Sequence, residues 1–151
     1  MEERYKVFTG LITKISRDIR KIKTEEMLEF GLSNMHVSCL YYLYKEKSLT
    51  AKELIDISLE DKAALSRALS YLEEKGYIKC DSELKKRYNS AFELTDQGLM
   101  VAEKIAIKID KILDFVGDGV SDKERKNMYE CLMKISENLD KYCGRYGGGH
   151  K

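Results

Sequence analysis

The sequence of 151 residues contains no proline. No pyrrolidine ring can start, kink or stop a helix here, so helix ends must come from capping side chains and glycines. No apolar run approaches the ~18 residues of a membrane-spanning helix. The opening segment MEERYKVFTG is charged and lacks the apolar stretch of a secretory signal, which sets the expectation of a cytoplasmic protein. Histidine occurs only at His36 and His150, little material for histidine-based catalysis. The G-x-G-x-x-G and P-loop phosphate cradles, the G-x-S-x-G elbow and the zinc-binding H-E-x-x-H are all missing. Cys39, Cys80, Cys131 and Cys143 form no C-x-x-C pair, which argues against a zinc cluster or a thioredoxin-type site. In a reducing compartment they are expected as free thiols. The expectation is a protein with no catalytic residues, no metal and no cofactor.

What is present describes a helix-rich globular chain. Hydrophobic residues make up 43% and charged residues 35%, the latter well above the ~25% of an average domain. A chain of this length suits one domain with an appended oligomerisation element. The net charge of +1 conceals a patterned distribution. Residues 1–23 hold seven basic and three acidic groups, and residues 61–88 hold seven and five. The other two stretches are net acidic. Local charge, rather than the total, makes an electrostatic footprint.

Periodicity then orders the chain. Val7, Phe8, Leu11, Ile12, Ile15, Ile19 and Ile22 recur at three- and four-residue steps and predict an amphipathic helix over 4–23. A second helix is expected from near Ser33 to about Lys45. Thr50-Ala51-Lys52-Glu53 matches a capping box and opens a short helix to Ser58. Another helix runs from Asp61 to Lys75, stopped by Gly76. Residues 77–80 and 91–94 read as the strands of a hairpin with a long, basic tip. Thr95 or Asp96 caps a long helix reaching Val116, with Leu99, Ala102, Ile105, Ile109, Ile112, Leu113 and Val116 on one stripe. Gly117 and Gly119 break it. Ser121 to Glu124 caps a last helix with Met128, Cys131, Leu132, Ile135, Leu139 and Tyr142 on one face. Gly147 to Gly149 open a flexible tail.

The segment 61–75 carries the most chemistry. At ~100° per residue, Leu65, Ala68, Leu69 and Leu72 gather on one side, a core face. Lys62, Ala63, Ser66, Arg67 and Ser70 gather on the other. That face is small, hydroxylated and basic, so it can enter a DNA major groove without steric conflict, Arg67 pairing with guanine or phosphate. The same face, taken alone, is also what an ordinary solvated helix shows. A capped short helix before it and a basic hairpin after it, with Lys85, Lys86 and Arg87 at the tip, favour DNA.

The order of three compact helices and a hairpin is that of a winged helix-turn-helix. Within it, LSNMHVSCLYYL, LTAKELIDIS, DKAALSRALSYLEEKGYI and FELTDQG resemble the MarR family of bacterial and archaeal transcriptional regulators. The run Leu72-Glu73-Glu74-Lys75-Gly76-Tyr77-Ile78 and the pair Leu94-Thr95 with Gly98 are the most telling. The resemblance covers about residues 30–100. It implies a mainly α fold with a small β-hairpin wing (α+β), in which residues 1–30 form a dimerisation helix, 31–97 the DNA-binding lobe, 98–146 the C-terminal dimerisation helices and 147–151 a tail. It also implies a homodimeric regulator, most often a repressor, on a pseudo-palindromic double-stranded DNA operator.

The resemblance reaches individual residues. The family's wing often carries Asp-x-Arg; counted back from Leu94-Thr95, Lys86 and Tyr88 stand at those places, and Arg87 is adjacent to take over the arginine's role. Small aromatic effectors bind between lobe and dimerisation helices in the family, a cavity that His36, Tyr41 and Tyr44 would line here; the alternative is that all three pack with a satisfied polar tip. A peroxide-sensing branch uses a cysteine in the first helix, and residues 1–38 contain none. The departure in the wing keeps a second reading open, a winged-helix protein-interaction module without sequence-specific DNA binding.

Overall fold

The computed structural model describes residues 2–80 and 89–147. Contacts divide the chain into two compact units, Met1–Lys111 and Ile112–Lys151. The first opens with α1 (Glu2–Tyr5), a π-helical turn (Lys6–Leu11) and α2 (Ile12–Glu26). The widened turn holds Gly10 and a Thr9 hydroxyl that donates to the Tyr5 carbonyl at 2.6 Å, a backbone distraction of the kind that loosens a helical ladder. Then come α3 (Asn34–Glu46), β1 (Ser48–Thr50), α4 (Ala51–Ser58), α5 (Lys62–Glu74), β2 (Ile78–Cys80), β3 (Ala91–Leu94) and α6 (Asp96–Val116). The second unit takes over the end of α6 and continues through a glycine turn into α7 (Asp122–Cys143).

With proline absent, side chains start the helices. The Ser33, Thr50 and Ser121 hydroxyls each accept the backbone N–H three residues on, and Asp61 accepts from Ala64 at 2.9 Å. Thr50 and Ser121 are full capping boxes closed by Glu53 and Glu124. The box at Ser33 is closed by His36 instead: its Nδ1 accepts the Ser33 N–H at 3.2 Å.

The sheet differs from the expected hairpin. It has three antiparallel strands in the order β1-β3-β2. Leu49 lies opposite Phe92, and Ile78 opposite Leu94. Strand β1 is three residues long with one buried apolar side chain, Leu49, too short for alternation to show. Its pairing with β3 fastens the start of α4 to the base of the wing.

One core holds this unit together. Val37, Cys39, Leu40 and Leu43 of α3 meet Leu54 of α4, Leu65, Leu69 and Leu72 of α5, Ile78 and Phe92 of the sheet, and Ala102 and Ile105 of α6. The stripe expected along α6 is split. Ala102, Ile105 and Ala106 are buried and Ile109 packs against the core, whereas Leu99, Leu113 and Val116 stay exposed. Leu99 lies at the edge of the buried arc, and Leu113 and Val116 belong to the second compact unit.

Candidate nucleic-acid interface

Helix α5 is placed by its core face. Leu65, Ala68, Leu69 and Leu72 are at most 4% exposed, and burying them is worth roughly 1.5–3 kcal/mol per large side chain. Burial on one side leaves the other outward. Lys62, Ala63, Ser66, Arg67 and Ser70 are all exposed. The five do not share one environment. Lys62, Ser66 and Ser70 edge a cleft of about 140 Å³ whose far wall is Ala51 and Ile55 of α4 and Phe92 of β3. Ala63 and Arg67 lie outside it, and Arg67 makes no ion pair among the described residues. The arrangement is an exposed face of small, hydroxylated and basic side chains that includes the Arg67 guanidinium. Lys85, Lys86 and Arg87 lie outside the described residues.

The far end of α5 is locked to the start of α6 by a joint of four residues. Gly76, at φ +81°, turns the chain out of the helix. The Thr95 hydroxyl donates to the Gly76 carbonyl at 2.6 Å and accepts the Gly98 N–H at 3.0 Å. The Thr95 N–H donates to the Tyr77 carbonyl. A Cβ on Gly98 would stand 1.8 Å from that same carbonyl oxygen, so only glycine fits. The two sequence signatures, K-G-Y-I and L-T-x-x-G, are thus halves of one fastening that orients α5 against α6. Their pattern was visible in the sequence; their contact was not.

His36, Tyr41 and Tyr44 go three ways. The His36 ring stacks on Tyr71 of α5 at 4.3 Å. Burial holds its pKa below the ordinary histidine value. The Tyr41 hydroxyl donates to Asp110 of α6 at 3.3 Å, and burial raises its pKa. Tyr44 borders a separate cleft with Leu94, Thr95 and Leu99. His36 thus ties α3 to α5, and Tyr41 ties it to α6. Burial pushes the Cys39 thiol up to about 12, so it has almost no reactive thiolate at neutral pH.

Comparison with known proteins points one way. Residues 30–87 match the sequence model of the MarR family. An HTH-type transcriptional regulator of Bacillus subtilis is 24% identical over 137 residues, covering 91% of this chain and 80% of the relative. A MarR family regulator from Neisseria meningitidis superposes with a TM-score of 0.78 at 21% identity, covering 91% of this chain and 96% of that one. A MarR family regulator from Listeria monocytogenes, solved with a 26mer DNA, gives 0.75 at 22% identity, covering 93% and 94%. These likenesses show that the chain shares the winged-helix fold of those regulators.

Proposed function

Residues 30–87 match the sequence model of the MarR family, and from that match we propose that the chain is a sequence-specific, DNA-binding transcriptional regulator acting as a homodimer in the cytoplasm. The observation that carries the reading is the outward face of α5: a small, hydroxylated surface bearing Arg67, backed by a buried leucine face and joined rigidly to α6. Such a face fits the major groove, where a guanidinium can bond guanine O6 and N7 in a bidentate way. The Listeria monocytogenes relative was solved on DNA, which supports the same use of this lobe. Lys85, Lys86 and Arg87 of the wing would add salt-dependent contacts to flanking phosphates.

Two apolar faces support the homodimer. Val7, Phe8, Leu11, Ile12, Ile15 and Ile19 are 39–53% exposed, and Met128, Leu132, Leu139 and Tyr142 are 43–54% exposed. Stripes that long on a soluble chain mark surfaces that a partner covers. A second copy would place two α5 helices on half-sites about 34–36 Å apart. In this reading the regulator is a repressor, and a small aromatic effector releases it by changing that separation.

Selection from a random duplex pool, followed by sequencing of the bound fraction, tests the proposal. Enrichment of an inverted repeat with half-sites one helical turn apart is the expected result. Binding without enrichment that vanishes as salt rises would mean phosphate contacts alone and would overturn it in favour of a protein-interaction module.

A further inference from the structure

Helix α6 is gripped on both flanks at one level. Ile109 packs against the core, and its two neighbours in sequence point to either side of it, as residues ~200° apart on a helix must. On one flank the Lys108 ammonium donates to the Glu26 carbonyl at 2.8 Å and pairs with the carboxylates of Glu29 and Glu26. It also lies 5.8 Å from the centre of the Phe30 ring. Glu26 is the last residue of α2, so its carbonyl is among the unsatisfied acceptors at a helix C-terminus, where a cation is favoured. On the other flank Asp110 accepts from Lys45 at 2.9 Å and from the Tyr41 hydroxyl. One residue later, at Lys111, the first compact unit ends. Beyond it Leu113, Phe115 and Val116 are more than half exposed.

Exposed ion pairs of this kind contribute little to stability one by one. Their placement gives them a geometric effect instead. The apolar residues that seat α6 are Val101, Ala102, Ile105, Ala106 and Ile109, and two of these five are alanines. A seat that smooth resists separation but permits the helix to roll. Contacts on opposite flanks oppose roll in both directions. The start of α6 is already fixed by Thr95 and Gly98, so a grip at its exit defines the direction in which it leaves the lobe.

We propose that Lys108 and Asp110 are positioning residues that set the spacing between the two DNA half-sites, by fixing the angle at which α6 leaves the DNA-binding lobe. This rests on the dimeric, DNA-binding reading above. Neither residue touches DNA in this assignment. A small roll of α6 is carried to α5 through the Thr95–Gly76 joint, and the separation of two recognition helices is what a pseudo-palindrome measures.

The test uses the full chain on duplexes bearing two copies of the selected half-site, at the selected spacing and with one to three base pairs added or removed. The parent is expected to lose about tenfold or more in affinity on offset spacings, since duplex twist must then be deformed. The double variant Lys108→Met with Asp110→Asn keeps stem length and side-chain shape. It is expected to bind the selected spacing severalfold more weakly and to discriminate offset spacings by less than about threefold, with unchanged affinity for a single half-site. Lys104→Met, an exposed lysine on the same helix, should behave as the parent, and thermal melts of all three proteins confirm that each is folded. A folded double variant that keeps the parent's spacing discrimination overturns the assignment. A parent that shows no spacing or sequence preference overturns the underlying DNA reading, and the assignment with it.

Discussion

The central lobe and the two end helices are written in the same amphipathic code, and they use it differently. In α5 the apolar residues at three- and four-residue steps are at most 4% exposed. In α2 and its preceding turn, residues at the same steps remain about half exposed, and so do those of α7. The lobe closes on itself because α3, α4, α5, α6 and the sheet surround a common centre. The end helices have a face with nothing to cover it in one chain. Periodicity therefore specifies which side of a helix is apolar, while topology decides what lies against that side. In the proposed regulator the lobe's outward face would meet DNA, and the end helices would meet a second copy.

That contrast can be broken at either end. The largest effect is expected at the joint. Gly98→Ala drives a methyl group into the Tyr77 carbonyl, which cannot move without displacing the end of α5. A loss of about 3 kcal/mol, read as a fall in the urea midpoint, is the expected outcome, together with loss of DNA binding. A charge on the last helix should act the other way round. Leu132→Glu is expected to leave the helical content intact while shifting a dimer to a monomer in sedimentation equilibrium, with about 2 kcal/mol or more lost from association. A destabilised but still dimeric protein would mean that α7 folds against its own chain.

Smaller effects sharpen the account of the lobe. Thr50→Ala removes the hydroxyl that caps α4 and should cost about 1 kcal/mol in a thermal melt. The cap of α3 should respond to pH. His36 closes its capping box through an unprotonated Nδ1, and burial lowers its pKa from 6.5. Protonation is thus easier in the unfolded chain, so the stabilisation is fully present above pH 6.5 and declines as pH falls through the lower folded value. His36→Gln, which keeps an acceptor at N3, should flatten this decline in melting temperature below pH 6.5. An unchanged slope would assign the decline to other groups.

Much of the fold was legible from residue spacing. The core face of α5 projects from four residues, and the Thr50 box follows the S/T-x-x-E pattern that its energetics require. The Ser33 box escaped notice because a histidine, rather than Glu or Gln, sits three residues on. Strand β1 was missed because three residues cannot display a period, and its partner is more than forty positions away. The joint was visible as two motifs and unreadable as one contact, since no local rule says that the Gly98 Cα lies against the Tyr77 carbonyl. Nothing in the sequence singles out Lys108 or Asp110, because their partners on α2 and α3 are 65 or more positions distant. At the candidate site the outward residues of α5 could be named from the sequence, whereas the cleft that divides Lys62, Ser66 and Ser70 from Ala63 and Arg67 needs α4 and β3 in place. His36, Tyr41 and Tyr44 were grouped by the family resemblance alone; the stacking of His36 on Tyr71 and the bond from Tyr41 to Asp110 join residues far apart in sequence and could not be read from it.

The claim that α5 reads base sequence can be tested at one side chain. Parent and Arg67→Ala would be titrated against the selected duplex and against a scrambled duplex of equal length, at the same salt. The account predicts that the substitution costs about 1–3 kcal/mol on the selected duplex and little on the scrambled one, shrinking the ratio between them. Equal weakening on both duplexes would make Arg67 a phosphate contact, and no weakening on either would place the reading surface elsewhere; both results contradict the claim.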